Sequence, residues 1–259
     1  MSTRYGAPWS RDELVLALYL YCQVPFARTK ANNPEVIRLA TLLGRTPSSV
    51  ARKLGNFGAF DPRLASLGIK GLTHVGRADE AVWREFDGRW EALVGEAQAL
   101  LASADVEPAA SAEADVAPVV AGPSGATERA AETTVRLYQA FFRRAVLASY
   151  EYCCTVCGID LPTLLIASHI VPWSVSEAHR TDPDNGLCLC TLHDRAFDRG
   201  LMAVGEALQV LVSPAARASR SPFCHAALGA FAGQPIRLPT RFPPKAQHLE
   251  WHRETVFRQ

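Results

Sequence analysis

The sequence predicts an α+β protein in two parts: an α-helical, helix-turn-helix-like N-terminal domain and a small C-terminal domain organised around metal. Three observations lead there. Residues 9–54 carry three capped helical patterns in quick succession, residues 102–133 are rich in Ala, Pro, Glu, Gly and Ser without one aromatic residue, and Cys and His residues cluster between Cys153 and His193. At 259 residues the chain has room for two modest cores. The aromatic-free stretch cannot bury enough apolar surface to order itself, so it reads as a flexible linker. The expected division is 1–101, a helical domain; 102–133, the linker; and 134–259, the second domain.

In the first part, Ser10 reads as an N-cap, with Glu13 three residues on to complete a capping box. Leu14, Ala17, Leu18 and Tyr21 then share one helical face, and Pro25 ends the element. Asn33-Pro34-Glu35 is a second cap with proline at the first helical position, and Gly44 stops that helix. Thr46-Pro47-Ser48-Ser49 opens a third. The third helix would carry Ser48, Ser49, Arg52 and Lys53 toward solvent, with Arg45 in the turn before it, a set suited to phosphate and base-edge contacts on DNA. A plain helical bundle with a basic rim would show the same pattern. Residues 60–77 read as loop and turn, and 79–101 as one acidic amphipathic helix.

Net charge is +1, which hides a strong asymmetry. Residues 1–77 hold eleven Lys/Arg against four Asp/Glu, residues 78–132 three against twelve, and residues 133–259 thirteen against ten. The first segment is therefore basic enough to meet a polyanion. No apolar run approaches the roughly 20 residues of a membrane helix, and residues 1–10 hold no apolar signal core. Seven cysteines, odd in number and mostly in one segment, read as metal ligands in a reducing cytoplasm rather than as disulfides.

The second part resumes with a helical pattern over 135–150 and then reaches Cys154-x-x-Cys157-Gly158. Together with Cys190-x-x-His193 this makes two ligand pairs suited to one tetrahedral, structural Zn²⁺ site. Cys153 and Cys188 lie close enough in sequence to substitute or simply to pack. His169 sits on an apolar run that reads as a strand ending at Pro172, and Leu208 to Val212 reads as another short strand. The final His252-Arg253-Glu254 segment has no evident chemistry.

Taken together, Ser168-His169-Ile170-Val171-Pro172-Trp173 and Asn185-Gly186-Leu187-Cys188-Leu189-Cys190-Thr191-Leu192-His193-Asp194-x-x-Phe197-Asp198 resemble the HNH endonucleases. The resemblance implies a ββα-metal fold over 153–204 and the hydrolysis of phosphodiester bonds. It implies His169 as the general base, Asn185 as the brace of the loop between two strands, and Asp194 as a metal ligand, with Asp198 a second ligand one turn on. His193 aligns with the last zinc ligand; without a zinc site it would serve the catalytic metal instead. Ser168 stands where the family often has a stronger ligand. Carboxylates favour Mg²⁺ or Mn²⁺, whereas a His ligand admits Zn²⁺, Ni²⁺ or Co²⁺. Arg180 and Arg195 are candidates to hold phosphates.

The expected function is thus a metal-dependent DNA endonuclease of restriction or defence type, cytoplasmic, with no membrane partner. One active site nicks one strand, so double-strand cleavage calls for a homodimer or two successive nicks. The competing readings are a zinc-stabilised nucleic-acid-binding protein without cleavage activity, which Ser168 favours, and a non-specific DNA or RNA nuclease.

Overall fold

The computed structural model describes residues 6–69, 76–104 and 126–258, with side chains of the last segment from 133 onward. The chain divides into two compact units, 1–141 and 142–259. Most of the expected linker, 105–125, lies outside the described residues, and so do residues 70–75.

The first unit is helical. Its elements are α1 (Arg11–Gln23), α2 (Pro34–Leu43), α3 (Pro47–Gly58), α4 (Pro62–Ser66), α5 (Arg77–Phe86), α6 (Trp90–Ser103) and the first part of α7 (Ala126–Ser149). Local hydrogen bonds set the starts. The Ser10–Glu13 capping box is formed in both directions, Asn33 caps Glu35, and Thr46 caps Ser49. Gly44 stops α2 in the left-handed conformation. α1 is buried nearly all round, with Leu14, Val15, Ala17, Leu18, Tyr21 and Cys22 in the core and α2, α3, α5 and α6 packed about it.

Two local expectations need correction. Residues 62–66 form a short helix, because Asp61 accepts from the Arg63 and Leu64 amides and Pro62 is already set for a first helical turn. The helix expected over 79–101 is two helices, broken where Gly88 takes a φ of 72°.

In the second unit, α7 leads into a turn in which Glu151 and Tyr152 both adopt left-handed backbone, at φ 54° and 57°. β1 (Leu165–His169) then pairs antiparallel with β2 (Gly186–Cys190), His169 opposite Gly186, and α8 (Thr191–Asp198) follows directly. A second hairpin joins β3 (Met202–Val204) to β4 (Val210–Val212), within the segment expected to hold one strand. The chain continues through α9 (Pro214–Arg217) and α10 (Pro222–Ala227) to α11 (Ala246–Thr255).

β2 is buried on both faces, which explains its unbroken apolar run Gly-Leu-Cys-Leu-Cys. It packs in one core with Phe142, Val146, Tyr150, Leu165, Phe197 and Leu249. A side chain at position 186 would collide with Val146 and Phe142, so the glycine lets α7 close onto the ββα unit. Among the described residues no helix is long and apolar enough to cross a membrane.

Candidate active site and metal centre

The Cys154 knuckle is built by backbone. The Cys154 amide donates to the Ile159 carbonyl and the Gly158 amide to the Cys154 carbonyl, at 2.8 and 3.0 Å, while Gly158 supplies the left-handed turn at φ 75°. Cys190 stands at the N-cap of α8, and His193 lies one turn into that helix. The ligand atoms of Cys154, Cys157, Cys190 and His193 all lie within 4.8 Å of one another. Cys157 Sγ is 3.8 Å from Cys190 Sγ, and His193 Nδ1 is 3.6 Å from Cys154 Sγ and 3.2 Å from Cys190 Sγ. A tetrahedral zinc site with Zn–S near ~2.3 Å and Zn–N near ~2.1 Å has edges of about 3.8 and 3.6 Å. The four residues therefore fit a zinc ion.

His193 Nε2 is 2.9 Å from the Ala227 carbonyl. A carbonyl only accepts, so Nε2 carries the hydrogen and Nδ1 presents its lone pair to the cluster. The hydrogen bond from Cys190 draws the Cys154 thiol down, toward the thiolate that a metal needs. Cys153 and Cys188 stand outside the quartet. Cys188 is buried in the core, where burial pushes its thiol up, and the Cys153 sulfur lies 3.7 Å from the Glu151 carbonyl.

The same geometry corrects the second role considered for His193. Both of its ring nitrogens are engaged, at the thiols and at Ala227, so it does not join the carboxylates of α8.

His169 closes β1. Its ring stacks on Phe142 with centroids 3.6 Å apart and meets the Trp173 edge at 5.8 Å. His169 Nε2 lies 2.9 Å from the Arg180 carbonyl, which makes Nε2 the protonated nitrogen and Nδ1 the one able to take a proton. Burial lowers its pKa, partly offset by the Arg180 hydrogen bond, so the ring is neutral at neutral pH. Asn185 is buried and spans the loop between the strands: its Oδ1 accepts from the Val171 amide, and its Nδ2 donates to the Val171 and His179 carbonyls at 3.0 and 3.1 Å.

Asp194 and Asp198 sit one turn apart on α8. Burial raises the pKa of each, and the Asp198 charge raises that of Asp194 further. Ser168, the residue before His169, is buried with no hydrogen-bond partner of ordinary geometry for its hydroxyl. It lies close enough to Asp194 to lower that carboxyl slightly. Asp194 is thus in reach of both the Ser168 hydroxyl and the Asp198 charge, and Arg195 and Arg199 offset the two carboxylates only in part. That donor set fits a hard divalent cation.

Residues 154–205 match the family of HNH endonucleases. This segment is an HNH endonuclease domain. It contains all four cysteine and histidine residues of the metal centre together with His169, Asn185, Asp194 and Asp198. Among solved structures the chain is similar to a modification-dependent TagI restriction endonuclease, at 23% identity and a TM-score of 0.34, covering 45% of this chain and 38% of that one. The chain therefore spans well under half the length of that protein. No curated protein matches it.

The cations expected at DNA divide into two groups. Arg195 is exposed on α8 of the HNH domain, and Ser48 and Arg52 are exposed on α3, with Ser49 half-buried. The others are turned inward. The Arg45 side chain is 4% exposed, pairs with Glu13 at 2.7 Å, and donates to the Ala7 and Pro8 carbonyls over the face of Trp9. Lys53 pairs with Asp79 at 2.7 Å. Both are structural cations in this fold, a correction to their expected place at a phosphate face. The Arg180 guanidinium lies over Trp173 and donates to its carbonyl, holding the loop; its contribution to the site is its own backbone carbonyl, which residue type does not reveal.

Proposed function

We propose that the protein is a metal-dependent DNA endonuclease of restriction or defence type, acting in the cytoplasm, with His169 as the base that activates water. The observation that carries this reading is the hydrogen bond from His169 Nε2 to the Arg180 carbonyl. It fixes the tautomer, so that in the neutral ring favoured by burial Nδ1 is the nitrogen left to accept a proton, as a general base requires. Asn185 acts as the positioning residue, because it ties Val171 to His179, next to the carbonyl that fixes the ring.

Asp194 and Asp198, with Ser168 beside them, would hold a divalent cation, Mg²⁺ or Mn²⁺ by their oxygen chemistry. Bound there, the cation supplies Lewis-acid stabilisation of charge on the scissile phosphate. Cys154, Cys157, Cys190 and His193 would hold a structural Zn²⁺, with four protein ligands filling a tetrahedral site. Arg195, Ser48, Ser49 and Arg52 are the DNA contacts left on the surface, and the helical unit is the DNA-binding part. Double-strand scission then needs a second copy or a second nick.

The test is nicking of supercoiled plasmid, unmodified and modified, by wild type and His169→Ala, with Mg²⁺, Mn²⁺, Ni²⁺ or EDTA, and with binding followed by gel shift. Metal-dependent nicking lost in His169→Ala with binding retained is the expected result. Binding without cleavage under every metal would favour the zinc-stabilised binding protein, the reading to which Ser168 points.

A further inference from the structure

The last fifty residues carry no motif, yet α11 reaches both halves of the HNH domain. At its N-terminal end, Lys245 Nζ bridges Asp182 at 2.7 Å and Asp184 at 3.1 Å, and its backbone amide donates to the Asp184 carbonyl at 3.1 Å. Those carboxylates flank the loop that orients the site. Asp182 caps the turn ending in Asn185, and the same loop presents the His179 carbonyl to Asn185 and the Arg180 carbonyl to His169. His248, one turn into α11, stacks obliquely on His179 with centroids 4.6 Å apart.

At the other end, the His252 ring lies flat on Phe197, centroids 3.5 Å apart, and its Nε2 donates to the Phe197 carbonyl at 3.1 Å. Phe197 stands between Asp194 and Asp198 on α8. Just beyond, the Arg258 amide donates to the Gly200 carbonyl, and any side chain at position 200 would strike the Val256 carbonyl.

We propose that α11 is a positioning clamp for the nuclease site: Lys245 holds the 179–185 loop that sets the His169 tautomer, and His252 holds α8 in place beneath its two carboxylates. The inference rests on the reading of His169 as the base. The bridge from Lys245 to two carboxylates gives the loop a tether in addition to its own hydrogen bonds. Without it the Arg180 carbonyl loses its fixed place opposite Nε2, and the imidazole is free to redistribute its proton between the two nitrogens.

Long-range ¹H–¹⁵N spectra of the histidine rings in the zinc-loaded full chain test this directly, with the His169 signals assigned by their loss in His169→Ala. Wild type should show His169 as the Nε2–H tautomer. Lys245→Ala should show a mixture, and Lys245→Arg should restore the single form. Lys245→Gln, made in parallel, keeps most of the side chain's length should alanine disturb folding. Single-turnover cleavage should fall about tenfold in Lys245→Ala with DNA affinity unchanged, the scale on which outer-shell partners act, and recover in Lys245→Arg. An unaltered His169 spectrum in Lys245→Ala would overturn the clamp. So would a rate loss arising wholly from weaker DNA binding, which would make Lys245 a phosphate contact. Wild type that cuts no plasmid would sink the nuclease reading alone, and the tautomer result would still decide the clamp.

Discussion

The core of the helical unit and helix α8 of the HNH domain treat charge in opposite ways. In the helical unit, Arg45 meets Glu13 and Lys53 meets Asp79, each pair mostly shielded from solvent, with Asn56 adding a hydrogen bond to Asp79. On α8, half-buried Asp194 and exposed Asp198 lie one turn apart; desolvation raises both carboxyls, and Arg195 and Arg199 offset this only in part. A charge paired directly inside the protein serves the fold, whereas like charges one turn apart on a helix, only partly offset by neighbouring arginines, suit a ligand the chain itself does not provide. The basic excess of residues 1–77 is thus a poor guide to a DNA surface, because part of it is neutralised inside.

The largest test of this contrast removes the metal. Structural zinc contributes on the order of 10 kcal/mol or more to folding in small metal-organised units. Cys157→Ser, or chelation of the wild type, should abolish the cooperative melt of the HNH domain and leave the helical unit folded. One zinc per chain by elemental analysis, absent from the variant, completes the check.

Next in size is the matched charge. Glu13→Ala strands a buried guanidinium and should cost about 3 kcal/mol, read as a lower urea midpoint with an unchanged slope. If Arg45 were instead a DNA contact, Arg45→Ala would weaken the gel shift and leave the midpoint alone.

A comparable effect is expected from acid. Burial lowers the His252 pKa to about 4, below the ordinary value near 6.5. The unfolded chain therefore takes up a proton that the folded one refuses, and stability falls as pH drops from about 6.5 to about 4, by roughly 3 kcal/mol in all. Thermal melts across that range should show the loss, and His252→Phe, which keeps the stack on Phe197, should flatten it.

The smallest effect has the opposite sign. Asp194 has a raised pKa, so its ionised form costs folding free energy above the ordinary carboxylate range and nothing below it. Asp194→Asn should slightly stabilise the metal-free protein at pH 7, an advantage absent at pH 3. The same variant should lose metal-dependent cleavage. Destabilisation instead would place Asp194 among the matched charges and remove the contrast.

Much of this molecule was legible from residues close together in the chain. The Ser10–Glu13 box, the Asn33 and Thr46 caps and the left-handed Gly44 are formed by neighbours, so type and spacing suffice. The quartet of Cys154, Cys157, Cys190 and His193 was legible for the same reason, since each pair is built within one tight turn. The break at Gly88 left a local signal, the Asp87-Gly88 pair, outweighed by the apolar spacing on either side.

Other features depend on contacts across long stretches of sequence. Arg45 and Glu13 are thirty-two residues apart, and no local pattern says that one neutralises the other. Arg180 was legible as an arginine, yet what it offers His169 is a carbonyl that any residue possesses. The sequence by itself determined the helix starts and the Cys154, Cys157, Cys190 and His193 set that could hold a metal, because turn geometry and ligand chemistry act over a few residues; His169, Asn185, Asp194 and Asp198 stood out through the resemblance to HNH endonucleases. Only the tertiary structure decided which cations remain on the surface, which nitrogen of His169 faces the Arg180 carbonyl, and that Lys245 and His252 pack on the 179–185 loop and on α8. Those depend on which distant surfaces are buried together, and burial belongs to the fold as a whole.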